Sequence, residues 1–169
     1  MSLSKQNFHP EVEAAINQQI NTELTASYVY LSMWAHFERD DVALANVAKF
    51  FKHQSEEERQ HGTDLMEMQN LRGGRVILTD VQAPQTEWPS LLAAFEAALA
   101  LERLNNERLL NLHAVATKHG DAQLTNFLEG KYLDEQVCSI NEFARFINNI
   151  KRAGPGVGEY IFDKEEFSD

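Results

Sequence analysis

The sequence predicts an all-α domain: four long helices packed as a bundle, one long crossover, and a short fifth helix at the C-terminal end. Three observations carry this. Apolar residues recur at helical spacing through four stretches, each roughly 30 residues, or about 45 Å at 1.5 Å per residue. The breaks between them are of two kinds, brief turns at Asp40-Asp41 and Gly120-Asp121 and one long segment, 75–90, without helical period. Each apolar stripe is also interrupted near its middle by a polar side chain on the same face.

Taken in order, the first helix should cover residues 10–39, with Pro10 suited to the first turn. Asp40-Asp41 should turn the chain and cap the second helix, residues 42–72, which Gly73-Gly74 then stops. The segment 75–90 carries Val76, Ile77, Leu78, Pro84 and Pro89 and is long enough to travel the bundle, so the second and third helices should run parallel. The third helix should span 90–119 and end at Gly120; Asp121 should cap the fourth, 121–153, which Gly154-Pro155-Gly156 breaks. Residues 159–167 could form the fifth. The whole chain, 1–169, reads as one domain.

The stripes locate the chemistry. In the second helix Val47, Phe51, Leu65 and Met68 share a face with Gln54, Glu58 and His61. Glu58 and His61 are three apart, so a carboxylate and an imidazole point where apolar side chains belong. A buried charge is expensive unless it is paired or holds a metal, and Glu-x-x-His is the spacing of dinuclear carboxylate sites inside four-helix bundles. The first helix reads Ile16, Ile20, Glu23, Ser27, Tyr30, Trp34; the third Phe95, Leu99, Glu102, Leu109; the fourth Leu128, Tyr132, Gln136, Ser139, Phe143. Mid-helix positions lie at one level whichever way each helix runs, which brings Glu23, Glu58, His61, Glu102 and Gln136 around one point. A single mid-helix Glu is as readily a member of a buried ion pair, and Tyr30 alone reads as core; five polar groups at one level favour a metal. His9, His36, His113 and His119 read as surface or structural.

Composition sets the boundaries. A net charge of −11 argues against nucleic acid or an anionic membrane as partner and suits attraction of cations. Cys138 is the one cysteine, which leaves no internal disulfide and no thiolate cluster. The N-terminus lacks the apolar core of a signal peptide and no apolar run reaches membrane-spanning length, so the cytoplasm is the expected location.

Six segments together resemble the animal ferritins, specifically their iron-oxidising heavy-chain type. They are Ile20-Asn21-Thr22-Glu23-Leu24 with Ala26 to Met33, Arg39 to Leu44, His53-Gln54-Ser55, Glu57-Glu58-Arg59 with His61, Gln69 to Arg75, and Tyr132 to Val137. The resemblance covers nearly the whole chain and implies a ferritin-like bundle, ferroxidase activity, and a homo-oligomeric cage of 24 chains that stores iron. It implies two irons per subunit: Glu23, Glu58 and His61 hold one, Glu58 bridges to the second, Glu102 binds that one, and Gln136 and Tyr30 stand beside it. Fe(II) and O2 are the expected partners. Glu56, Glu57 and Glu135 would carry iron toward the cavity or nucleate mineral there.

The chain departs from the pattern in places. Where a symmetric site would repeat Glu-x-x-His, the fourth helix has Gln136-x-x-Ser139, so the second iron should bind more weakly and leave after oxidation. The three-fold pore, lined in this family by an Asp and a Glu, here matches Asn126 and Glu129; the four-fold pore matches Ile161 and Glu165; Gln60 stands where a cavity-facing carboxylate is common. Two competing readings are a storage-only shell of the light-chain type and a di-iron oxygenase with an organic substrate. The intact Glu23, Glu58, His61 and Glu102 argue against the first, and Gln136-x-x-Ser139 against the second.

Overall fold

The computed structural model describes residues 2–167. Helix α1 (Pro10–Phe37) is followed by α2 (Ala45–Leu71), α3 (Leu91–Lys118), α4 (Ala122–Leu128), a π-helical turn (Glu129–Leu133), α5 (Asp134–Ala153) and α6 (Val157–Glu165). The backbone stays helical through both ends of the π turn, so α4, the turn and α5 make one long rod. Among the described residues there are four rods and a short final helix, as the sequence predicts.

Local chemistry sets most of the ends. The His9 ring accepts from the Glu11 N–H at 3.1 Å, and Pro10 occupies the first turn. Ser90 and Asp121 cap α3 and α4 through the N–H groups of Ala93 and Leu124, both at 3.0 Å. Gly73 ends α2 at φ +78°, a conformation that a Cβ would penalise.

The start of α2 corrects an expectation. Asp40 and Asp41 do not cap it: Asp41 is held by the Arg39 guanidinium, Ala43 sits at φ +54°, and the helix begins at Ala45 rather than at 42. Its acceptor comes from the far end of the chain. Asp163 of α6 takes the N–H groups of Asn46 and Val47 on one carboxylate oxygen, each at 2.9 Å. That helix also starts two residues before the expected 159 and stops at Glu165 rather than at 167. α1 likewise ends at Phe37, short of the expected 39.

The crossover runs beside α1 from its beginning to its end. Asn17 donates to the Arg75 carbonyl (2.9 Å), Asn21 to Thr79 (2.9 Å), Ser32 to the Gln85 carbonyl, and Arg39 grips Glu87 (2.7 Å). The chain therefore returns the full length before starting α3, and α2 and α3 run parallel. α1 and α2 are locked by a reciprocal pair, Ser27 Oγ to the Ser55 carbonyl and Ser55 Oγ to the Ser27 carbonyl, both 2.7 Å.

The core is in two pieces. One end is aromatic, built on Tyr30, Phe37, Phe51, Phe95, Phe143 and Phe162; the other is mainly aliphatic, built on Val12, Ile16, Leu65, Leu109, Leu124 and Leu128. The apolar residues of the expected stripes are buried apart from Trp34 and Leu99, which are only half-buried while Met33 and Ala98 take the inner positions; the polar Gln54, His61 and Ser139 are half-buried as well. Between the two pieces lies a layer of buried polar side chains.

Candidate metal centre

Every rod contributes to that layer. Glu23 comes from α1, Glu58 and His61 from α2, Glu102 from α3 and Gln136 from α5. Glu23, Glu58, Glu102 and Gln136 are at most 5% exposed, and Tyr30 is fully enclosed. The sequence thus brings together the groups it was expected to bring together, and each stands where the surrounding stripe would otherwise carry an apolar side chain.

The groups fall into two halves. In the first, ligand atoms of Glu23, Glu58 and His61 lie within 4.8 Å of one another. His61 Nδ1 is 3.6 Å from Glu58 Oε2, and its Nε2 is 3.1 Å from Glu135 Oε1 at the rim. The His61 carbonyl accepts from the Tyr132 hydroxyl at 2.9 Å, and the two rings meet edge-on at 5.3 Å. In the second half, Gln136 Nε2 donates to the Glu102 carbonyl at 2.9 Å and to the Glu102 carboxylate, and the Tyr30 hydroxyl donates to the other carboxylate oxygen. The π turn lies directly before α5, on the rod that carries both Tyr132 and Gln136.

Burial and mutual repulsion set the electrostatics of the layer. Burial, then the charge of Glu58, pushes the Glu23 pKa well above the ordinary carboxylate value. Burial also raises Glu102, against the opposing hydrogen bonds of Tyr30 and Gln136. Burial would lower His61, but Glu135 and Glu58 outweigh it and lift its pKa to about 10. The His61 imidazolium in turn lowers Glu135. The clustered Glu23, Glu58 and His61, with Glu102 lining the same pocket, are donors of the kind that borderline and hard cations such as Fe(II) and Fe(III) take.

The layer opens through a pocket of about 270 Å³ lined by Glu57, Glu58, His61, Glu102, Glu135 and Glu142, among others. Glu57 and Glu135 therefore stand at its mouth. Glu56 is on the exposed side of α2, as expected of consecutive helical residues that cannot share one face. Cys138 and Ser139 also border this mouth. Among the larger grooves, one of about 600 Å³ between α1, α3 and the crossover lies apart from these carboxylates, and Arg108 is the charged side chain in its lining.

The remaining expected residues sit on the outside of the subunit. Asn126 and Glu129 are exposed where α4 meets the π turn, and Glu129 pairs with His113 at 2.6 Å. Ile161 and Glu165 are exposed on α6, and Gln60 is exposed on α2, where it donates to Asp64 at 2.9 Å. A second cluster of possible ligands, His9, Glu11 and His119, gathers at the start of α1. Its two rings lie parallel at 3.6 Å, the His9 Nδ1 lone pair is spent on the helix cap, and Lys118 already neutralises Glu11 at 2.8 Å. That cluster is satisfied as an ion-paired corner.

Two residues of the layer were not anticipated. Gln19 and Asn105 are both 2% exposed and join the carboxylates directly. Gln19 Nε2 donates to Glu23 Oε1 and Asn105 Oδ1, each at 2.7 Å, and Asn105 Nδ2 donates to Glu23 Oε2 at 2.9 Å. The signal was present: Asn105 interrupts the stripe between Glu102 and Leu109, and Gln19 lies one turn before Glu23.

Comparison with known proteins shows the family. Residues 13–153 match the family described as ferritin-like domain. The soma ferritin of Lymnaea stagnalis is 56% identical over 169 residues, covering 99% of this chain and 97% of the relative. The ferritin heavy chain of Echinococcus granulosus is 56% identical over 166 residues, 98% and 96% of the two chains. The ferritin middle subunit of Aquarana catesbeiana is 52% identical over 168 residues, 97% and 96%.

Proposed function

This chain belongs to the ferritin family of iron-storage proteins, and we propose that its buried polar layer is a ferroxidase site. It oxidises Fe(II) to Fe(III) with O2 and passes the ferric product into the cavity of a homo-oligomeric cage, most simply of 24 chains. The observation that carries the reading is the clustering of Glu23, Glu58 and His61 in the interior, with Glu102 lining the same pocket that leads out of the layer.

Iron is the substrate. Glu23, Glu58 and His61 take one Fe(II); Glu102 takes the second, with Gln136 and Tyr30 holding its carboxylate in place and Glu58 shared between the two. Each Fe(II) gives up one electron, and the pair supplies the two electrons that, with two protons from water, reduce one O2 to hydrogen peroxide. Carboxylate and imidazole donors favour the ferric product, which provides driving force. Release follows through Glu57 and Glu135 at the mouth. The single carboxylate of the second half, where Gln136 and Ser139 replace a Glu and a His, favours handing iron on over keeping it.

Assembly into a cage is supported by apolar side chains left on the surface: Leu71 and Val157 are each 74% exposed, with Leu78, Tyr160 and Ile161 more than half exposed. Inflow of Fe(II) is assigned to pores lined by Asn126 and Glu129. Among the described residues, no helix is long and apolar enough to cross a membrane.

Anaerobic Fe(II) titration followed by O2, with absorbance and particle size read together, tests the proposal. Saturation at two Fe(II) per subunit, rapid oxidation and mineral inside a cage-sized particle are expected. A particle that stores iron without fast oxidation would return the light-chain reading; oxidation without a particle would return the oxygenase.

A further inference from the structure

We propose that Asn105, braced by Gln19, is a positioning residue that holds Glu23 as a single-oxygen ligand in the first half of the site. The inference rests on the ferroxidase reading above and deepens it. Asn105 occupies a core position on α3, one turn beyond Glu102, where an apolar side chain would be expected to pack. It makes an almost closed ring instead. Gln19 donates to Glu23 Oε1 and to Asn105 Oδ1, and Asn105 donates to Glu23 Oε2 and reaches Glu58 Oε2 at 3.5 Å.

The consequence is geometric. Each Glu23 oxygen already accepts one amide, so the carboxylate plane is fixed from both edges. A carboxylate has about four lone-pair sites, and two are taken. Chelation of a cation by both oxygens would have to break or bend these bonds, whereas a single lone pair directed at the cation keeps them. Asn105 also reaches across to Glu58, so the two carboxylates of the first half share one brace. A cation held by one oxygen of Glu23, together with Glu58 and His61, keeps coordination positions free for water and O2. Partners of this outer kind change metal affinity by about 10- to 100-fold when removed.

The test uses the assembled, iron-free protein with Co(II) and anaerobic Fe(II) as probes. Asn105→Leu removes the amide and keeps the number and branching of the side-chain heavy atoms. The expected result is an intact particle, a first-half affinity lower by about 10- to 100-fold, and a changed visible Co(II) spectrum as Glu23 turns. Gln19→Leu should change the spectrum in the same way with a smaller loss of affinity, and it decides the matter if Asn105→Leu fails to assemble. Native affinity and a native Co(II) spectrum in the variants would overturn the proposal. Glu23→Ala separates the two levels. If it abolishes first-half binding while Asn105→Leu changes nothing, the positioning role alone is wrong; if Glu23→Ala also binds natively, the site reading falls and takes this proposal with it.

Discussion

The two halves of the polar layer face the same space with unlike equipment. The first half has two carboxylates and an imidazole, fixed by Gln19 and Asn105 and edged by Glu135. The second has one carboxylate, Glu102, whose oxygens are taken by a neutral amide and a phenol. Like charges in the first half push against each other, which is why Glu58 is the leading charge that raises Glu23; the second half relieves its one charge with hydrogen bonds, and these oppose the rise of Glu102. A cation gains more where anions repel in its absence. The difference teaches that grip and release can be divided between two ends of one site.

Removing Glu58, which the ferroxidase reading shares between both irons, should have the largest effect. Glu58→Ala is expected to lower the initial oxidation rate at two Fe(II) per subunit by more than about 100-fold, beyond the usual loss of an outer partner. The particle should remain assembled by gel filtration, and an unchanged stopped-flow rate would refute the shared role.

Making the halves alike comes next. Gln136→Glu combined with Ser139→His gives the second half a second carboxylate and an imidazole. One added charge about 4 Å from a cation contributes up to ~4 kcal/mol at an effective dielectric of 20, so retention there should rise about tenfold or more. Metal content after gel filtration should increase, the first turnover should survive, and mineral growth over repeated additions should slow. A double variant that mineralises at the native rate and holds no extra iron would show that these two positions do not govern release.

The protonation difference gives a third test. Glu23 and Glu102 are raised and His61 sits at about 10, so protons occupy the metal-free site to higher pH than in free side chains. A cation must displace them, and anaerobic Fe(II) affinity should fall as pH falls, by about tenfold per pH unit for each proton displaced. For stability the sign is opposite. A carboxylate whose folded pKa is raised contributes stability below its unfolded value and loses it as pH rises through the folded value. Glu58→Gln removes the charge that raises Glu23 while leaving both amide bonds of Glu23 in place, and should therefore raise the neutral-pH melting temperature of the metal-free protein, by about 2–4 °C if ~1 kcal/mol of repulsion is relieved. Glu102→Gln should raise it less. Equal shifts by calorimetry would erase the contrast between the halves.

The smallest effect is expected outside the site. Asn126→Asp would place a second carboxylate near Glu129 and speed Fe(II) uptake by on the order of tenfold or less at low salt. The gain should vanish as ionic strength rises. Equal uptake by native and variant at low salt would show that inflow is limited elsewhere.

Much of this was legible from spacing alone. The stripes of α1 to α3 and of the α4–α5 rod point to Glu23, Glu58, His61, Glu102 and Gln136 as one polar layer, because a polar residue at a core position violates a strong rule. Length also told: the segment 75–90 can span the bundle, and it does. What stayed hidden depends on partners distant in the chain. Asp41 resembles a cap in sequence, yet Arg39 claims it, while the true acceptor, Asp163, gives no local sign. Asn105 and Gln19 broke their stripes visibly, but a lone amide has no spacing rule that announces a carboxylate beside it. The π turn at Glu129–Leu133 carries no signature, since one residue more per turn leaves composition unchanged.

The Asp163 contact also bears on how the chain is made. Synthesis runs from the N-terminus, and the carboxylate that closes α2 is added 117 residues after Asn46. At about 5–20 residues per second, roughly 6–23 s pass between the two. Through that interval the second helix exists with its first turn open, however well it has paired with α1. A chain cut short before α6 keeps it open permanently. The arrival of α6 is thus written into the bundle as a single carboxylate, and a chain that stops before it carries a frayed helix end.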